Sequence, residues 1–517
     1  MYAPKSIEKR IRNGNLHFQY GVKNANTNEK RKSRRKRKND ESTKTDKLYR
    51  RAHCVRVRLV RIRLDKCASI WYKKYMVKND TMNKKNKNGV PFSRAYSRFF
   101  LGLCRFLRPF LHGKCKQSEA FRRQKKEGAM LVVCNHLSAY DFIHFSAAMY
   151  GAPLNFVVAE NMMYSMPIFA KLISGYHAIT KKQYFADIHC IMNIKKYLDA
   201  GVSVLICPEG KVAADGVTGT IMPSIARLVQ WLGYPVGVVK MKGASLARPK
   251  WAYNLRFIRK GNVYSECDML LSAKEAKELK KDEILEKITD ALAHNEHKWQ
   301  IENGVRFVGK RYAEGLERLL YYCPKCGAEF ENRTHDDRMV CNKCGNEVRY
   351  SFDGKIEPVG DGVSLERIDL WYAKERELVR EEVQKDDFCL CDKVNLFVEN
   401  EKSNGYRFAC EGTLRLDKQS LRFDSDQTQR PANVKAKFGV NSMTYDAGEN
   451  AVSEPVEEEL RHLSFAINRC DTVANLPGTA IDMYDDKHVY RFMFVDRNAS
   501  TKYVLAIEQA FVLGKNQ

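Results

Sequence analysis

Residues 130–141 read MLVVCNHLSAYD: an apolar run, a turn that carries Asn135 and His136, and an acid, Asp141, where a helical stretch begins. A short apolar run without alternation, closed by polar turn residues, is the pattern of a strand buried on both faces. Similar runs follow at Leu154–Val158, Val204–Cys207 and Val236–Met241. Between them Asp141–Tyr150, Ile188–Ala200 and Pro223–Leu232 read as helices, the second closed by Gly201 in the position of a C-cap. This alternation, from about 128 to 260, predicts an α/β fold: a mostly parallel sheet flanked by helices.

Ligands and catalytic groups of open α/β sheets gather outside the carboxyl ends of the strands. His136 belongs there, and an imidazole at that place can take a proton from a hydroxyl if a carboxylate holds its other nitrogen. Asp141 is spaced to do so. The same spacing also allows Ser138-x-x-Asp141 to be a capping box that serves only the helix N-terminus. The strand at 204–207 runs into Pro208-Glu209-Gly210-Lys211, which displays Glu209 and Lys211 at the same sheet edge.

Upstream, residues 91–112 interleave Phe92, Tyr96, Phe99, Phe100, Phe106 and Phe110 with Arg94, Arg98, Arg105 and Arg108. The spacings of three and four predict an amphipathic helix, fit either for the boundary of an anionic bilayer or for packing on the next domain. Residues 1–90 hold 28 Lys and Arg against 7 Asp and Glu, so +21 of the net charge of +27 lies there. Too few apolar residues recur in that segment to order it, the extreme being KRKSRRKRK at 30–38. It reads as a disordered basic tail, and Met82 is an alternative start of translation. The remaining 427 residues carry only +6, too little for a phosphate-backbone surface. No apolar run approaches the ~18–20 residues of a spanning helix.

Cys323-Pro-Lys-Cys326 and Cys341-Asn-Lys-Cys344 enclose fourteen residues, and Gly327 and Gly345 follow the pairs. Two such knuckles supply four thiolates, the ligand set of a structural zinc site. Most of the other cysteines stand alone in apolar surroundings, which fits a reducing compartment. His335, between the pairs, reads as a loop residue. Residues 273–300 read as one charged helix that ends near Trp299. From about 380 short strands dominate (Val394–Val398, Tyr406–Cys410, Thr413–Leu416, Leu421–Phe423, Leu463–Ile467, Val489–Val495), and a final helix places Tyr503, Ile507, Ala510 and Phe511 on one face.

The order Asn135-His136-x4-Asp141, Gly175–Lys181, Cys207–Lys211 and Tyr234–Val239 resembles the glycerolipid (1-acylglycerol-3-phosphate) acyltransferase family over roughly residues 90–260. The ribbon after it resembles a bacterial variety of that family. The resemblance implies that His136 and Asp141 form a general-base dyad. It implies that Asn135, Glu209, Gly210, Lys211, Lys181 and Lys182 bind substrate, and that backbone donors near these turns stabilise an oxyanion. Lys211-Val212 stands where the family has Thr-Arg, and Lys181-Lys182 where its second motif ends in Arg. Lys is a point charge where Arg is a fork, so the acceptor is the less secure part of the expectation, with Lys181, Lys182, Lys211, Lys240, Lys242 and Arg248 as candidate phosphate ligands.

The expected reaction moves a fatty acyl group from acyl-CoA, acyl carrier protein or acyl phosphate to the hydroxyl of a lysophospholipid, foremost 1-acylglycerol-3-phosphate. The expected organisation is a tail at 1–90, an acyltransferase domain with an interfacial helix at 91–300, a zinc ribbon with its lead-in at 301–355, and a β-rich C-terminal domain at 356–517. The last resembles a pleckstrin-homology or GRAM module in pattern only. The expected place is the cytoplasm, peripheral on the inner face of the membrane, with nucleic acid not a partner. The competing reading is a non-catalytic adaptor that uses tail and ribbon to bind nucleic acid or protein.

Overall fold

The computed structural model describes residues 89–165, 173–182, 187–252, 259–400, 405–431, 435–439, 442–446, 453–470, 473–485 and 487–515. The basic segment up to 88, with its run at 30–38 and Met82, lies outside the described residues.

Helix α1 (Arg94–Leu107) begins at Ser93, whose side chain accepts the Tyr96 N–H, and passes into a 3-10 turn at Arg108–Leu111. Phe100, Leu101 and Cys104 are buried, and Phe92, Tyr96 and Phe100 pack edge-on or tilted against Tyr176. Phe99, Phe106 and Phe110 are left exposed, the last two by more than 60%. The helix therefore packs by one face and presents aromatics from another.

Next come β1 (Gly113–Gln117), α2 (Glu119–Glu127), β2 (Leu131–Cys134), α3 (Asp141–Ala148), β3 (Leu154–Ala159), β4 (Ile179–Lys181), α4 (Ile188–Asp199), β5 (Ser203–Ile206), α5 (Ser224–Leu232), β6 (Val236–Lys242) and β7 (Val263–Leu271). The seven strands form one sheet in the order β1-β7-β6-β2-β5-β3-β4. β6, β2, β5, β3 and β4 run parallel, whereas β7 is antiparallel to β6 and β1 follows β7. The fold is α/β with a mostly parallel sheet. All four residues of β2 are fully buried, as a central strand covered on both faces requires. Gly201, φ +75°, supplies the left-handed residue that ends α4.

The expected single helix over 273–300 is three: α6 (Ala273–Glu278), α7 (Lys281–Leu292) and α8 (Glu296–Glu302). The breaks fall where side chains cap anew. Glu283 accepts the Lys280 N–H at 2.9 Å where α7 starts, and Asn295 accepts the N–H groups of His297 and Lys298 at 3.0 Å where α8 starts.

Strands β8 (Asn332–His335), β9 (Arg338–Cys341), β10 (Glu347–Tyr350) and β11 (Ile356–Pro358) make an antiparallel sheet around the cysteine knuckles. Helix α9 (Ile368–Gln384) leads into β12 (Leu390–Asn400), β13 (Gly405–Leu416), β14 (Ser420–Asp424), β15 (Gln429–Pro431), β16 (Lys435–Gly439), β17 (Ser442–Asp446), β18 (Ser453–Pro455), β19 (His462–Ala466), β20 (Ala474–Leu476), β21 (Ala480–Tyr484) and β22 (Val489–Phe494), closed by α10 (Ser500–Lys515). Seven of these form an antiparallel sheet in the order β19-β14-β13-β12-β22-β21-β20, and β15–β18 and β16–β17 pair separately. The two strands expected at 406–410 and 413–416 are one: Gly412 does not turn the chain. A Cβ there would meet the Asp424 carbonyl and the Phe423 ring at 2.5 Å, so glycine admits close approach of the neighbouring strand.

Two large cores result. One surrounds the mostly parallel sheet. The other joins Leu316, Leu319, Tyr321 and Met339 of the cysteine-rich segment to Trp371 and Val379 of α9, the antiparallel sheet and α10.

Candidate active site

β2 lies between β6 and β5, so the turns that leave β2 and β5 emerge side by side. Asn135, just past β2, is fully buried. Its amide nitrogen donates to the Met241 carbonyl at 3.0 Å and its oxygen accepts the Met241 N–H at 2.7 Å. It ties the end of β2 to β6.

His136 follows with its side chain 28% exposed. Its Nδ1 lies 3.0 Å from Asp141 Oδ2, and the same oxygen accepts the N–H groups of Leu137 at 2.7 Å and Ser138 at 2.9 Å. The two expected roles of Asp141 thus coexist in one oxygen atom. The serine half of the capping box is absent: Ser138 Oγ accepts the Tyr140 N–H at 3.4 Å, not that of Asp141, and donates to the Arg248 carbonyl at 3.2 Å. A carboxylate only accepts, so in the neutral ring Nδ1 carries the proton and Nε2 presents its lone pair outward.

Glu209, 3% exposed, spans the two turns. Oε1 accepts the His136 N–H at 2.7 Å, and Oε2 accepts the Gly219 N–H at 2.8 Å. Burial raises its pKa to about 7, against the two N–H bonds and His136, which lower it. Burial likewise depresses His136, but Cys207, Asp141 and Glu209 outweigh it and raise that ring to about 9. A negative shell around an imidazole makes a strong proton acceptor that rests largely protonated at neutral pH.

The expected lysines are dispersed. Lys181 ends β4, three strands from β2 and so about 14 Å away by strand spacing. Its Nζ donates to the Lys182 carbonyl at 3.2 Å, and the Lys182 N–H donates to Asp187 at 3.1 Å. Gly210 adopts φ +72°, and Lys211 is paired with Glu508 of α10. Sequence reasoning missed Gly219, whose N–H completes the glutamate bridge, and also His144 and Arg108 beside Asp141. No local motif announced them, since chain folding alone brings them there.

Cys323, Cys326, Cys341 and Cys344 place their sulfurs within 4.8 Å of one another, with Cys323–Cys344 at 3.7 Å and Cys326–Cys341 at 3.9 Å. Tetrahedral Zn–S bonds of ~2.3 Å require S···S edges of about 3.8 Å, so the donor set fits zinc. Each knuckle is closed by a left-handed glycine, Gly327 and Gly345, whose N–H donates to the first cysteine's carbonyl at 2.9 Å. The His335 side chain is 88% exposed and stands against Asp336.

A histidine–aspartate pair thus stands at the carboxyl end of a central parallel strand. Residues 112–242 match the family model described as Acyltransferase. A solved structure, the 1-acyl-sn-glycerophosphate (LPA) acyltransferase PlsC from Thermotoga maritima, aligns at 15% identity and a TM-score of 0.34, over 45% of this chain and 92% of that one. No curated protein matches the sequence. Among the described residues no helix is long and apolar enough to cross a membrane.

Proposed function

We propose that this chain transfers a fatty acyl group from a thioester or acyl phosphate to the hydroxyl of a lysophospholipid, foremost 1-acylglycerol-3-phosphate to give phosphatidic acid. The observation that carries the reading is the 3.0 Å contact of His136 Nδ1 with Asp141, in a ring whose side chain stays 28% exposed, so that Nε2 is the nitrogen left to act as base. Nε2 takes the acceptor's hydroxyl proton as its oxygen attacks the acyl carbonyl carbon. The tetrahedral intermediate collapses, the carbon–sulfur or carbon–oxygen(phosphate) bond breaks, and the imidazolium returns the proton to the leaving group. Asp141 fixes the tautomer and offsets the charge on the ring. Glu209 holds the two turns in register.

Zinc at the four cysteines is read as structural. It supplies folding energy to a segment too small to hold its own core. Phe99, Phe106 and Phe110, with Arg98 and Arg105 among them, suit the headgroup boundary of an anionic inner leaflet. The divisions at 90, 300 and 355, and a lipid- or protein-docking role for the C-terminal strands, belong to the same reading. The test is incubation of purified protein with labelled acyl-CoA, acyl carrier protein or acyl phosphate and a panel of lysolipids. Transfer to a lysolipid that His136→Ala abolishes is expected. Transfer undiminished in His136→Ala, with normal zinc content, would overturn the assignment.

A further inference from the structure

Four buried polar atoms without a hydrogen-bond partner belong to groups that act on one another around His144: its own Nδ1, Oδ1 of Asp141, and Nε of Arg108 and of Arg248. His144 sits three residues beyond Asp141 on α3 and is 3% exposed. Burial lowers its pKa to about 4, opposed by Asp141 and reinforced by Arg108 and Arg248, so both arginines bear on the one ring. Gly113 admits this crowding. A methyl group there would strike Arg108 Cγ and come within 2.7 Å of His144 Nδ1.

Arg248 is bound to the catalytic turn itself. Its guanidinium lies 3.8 Å from the centroid of the Tyr140 ring, and its carbonyl receives the Ser138 hydroxyl. Among the described residues neither Arg108 nor Arg248 has a carboxylate partner. By contrast Lys211 is matched by Glu508 and Lys242 by Glu266. Two partly buried cations without an ion-pair partner, sharing only the Asp141 carboxylate and set beside a neutral histidine that can donate from Nδ1, have donors left over for an anion with several acceptor oxygens.

We propose that Arg108, Arg248 and His144 form the phosphate site of this enzyme, holding the phosphate of a substrate beside His136 in place of the lysines at the motif positions. Each planar fork donates to phosphate oxygens, and the imidazole N–H donates to a further one. Asp141 tolerates the neighbour because its charge is spread over three N–H donors on Oδ2. The proposal rests on the acyl-transfer reading and adds where the phosphate sits. That phosphate belongs either to the acceptor's headgroup or to the donor.

The experiment compares the full, metal-loaded chain with Arg108→Gln, Arg248→Gln and the double variant. Each is assayed with lysophosphatidate and with monoacylglycerol as acceptors, at varied acyl-CoA. The ratio of kcat/KM for lysophosphatidate over monoacylglycerol is expected to fall about tenfold per arginine, with partial recovery in Arg248→Lys. A constant ratio with a raised KM for acyl-CoA would assign the phosphate to the donor and still support the site. A constant ratio and constant KM in a folded double variant would overturn it. Should the wild type acylate no lysolipid, the functional reading fails separately. Titration with inorganic phosphate then tests the site: binding lost in the double variant supports it, and equal or absent binding overturns it.

Discussion

Lys211, in the turn after β5, forms an ion pair with Glu508 on α10, 297 residues further along the chain. The final helix therefore reaches the turn that carries Glu209. Lys250 lies in the same contact, its Nζ donating to Asn475 at 2.9 Å, and Asn161 donates to Asp482 at 2.8 Å. The C-terminal strands are thus braced against the candidate active site.

Glu508→Gln leaves Lys211 and Lys250 facing each other. Burial, then Lys211, lowers the Lys250 pKa to about 7, and Asp482 and Glu508 oppose that shift. A lysine pKa depressed in the fold contributes stability above its unfolded value of 10.5, which is lost as pH falls to the folded value. Removing Glu508 depresses it further, so the loss is larger at pH 6 than at pH 9. With the paired side chains about one-fifth exposed, a destabilisation of about 1–2 kcal/mol at pH 6 is expected. Thermal melts of both proteins at the two pH values measure it.

Asp141→Asn separates support of the turn from support of the ring. The amide oxygen can still accept from Leu137, Ser138 and the ring Nδ1–H, but it has no charge to offset the imidazolium. A stability loss near 1 kcal/mol with a fall in kcat of about 10²–10⁴ is expected. In the wild type, kcat/KM rises with pH toward about 9, as the His136 imidazolium loses its proton. The linked stability runs the other way. A raised histidine pKa contributes fully below 6.5 and is lost as pH climbs through about 9, so turnover improves while the fold weakens. A pH–rate profile beside pH-dependent melts shows whether the two curves cross.

The central strands were legible because β2, β5 and β6 are apolar runs with no alternation, and Pro208 and Gly201 mark their neighbours' ends. The edge was not. β1 is GKCKQ, a strand only because β7 offers it a parallel partner, and its buried face is slight. Helix α9 carried a readable signal in Trp371, Tyr372, Glu375, Val379 and Val383, all buried, but eight of its seventeen residues are charged. His136 and Asp141 could be paired from spacing alone. Glu209's grip on the His136 N–H, 73 residues away in sequence, could not, because it depends on which strand lies beside β2.

Glu209→Gln is expected to cost more than a charge. Both carboxylate oxygens accept a backbone N–H, and an amide would turn its NH₂ against one of those donors. Either His136 or Gly219 then loses its partner in a buried setting, at about 1–3 kcal/mol. Because the affected donor belongs to His136 itself, kcat should fall by about 10²-fold in a protein that still melts cooperatively. Single-turnover rates and melts of this variant distinguish positioning from general unfolding.

Removal of zinc should be felt at the active site, though the knuckles do not touch it. Glu329, between the cysteine pairs, receives Lys502 of α10 at 2.7 Å; Tyr321 stacks on Phe330; and Trp371 of α9 donates to the Tyr322 carbonyl at 3.0 Å. Without four ligands on one metal, this small sheet has little core of its own and releases α10, which carries Glu508. A chelator or Cys323→Ser is therefore expected to open residues 320–350 to protease first, to lower the melting temperature of the second core, and to reduce acyl transfer through misplacement of the β5 turn. His335→Ala is the matched control. That side chain is exposed and outside the sulfur cluster, so metal content and protease resistance should stay at the wild-type level.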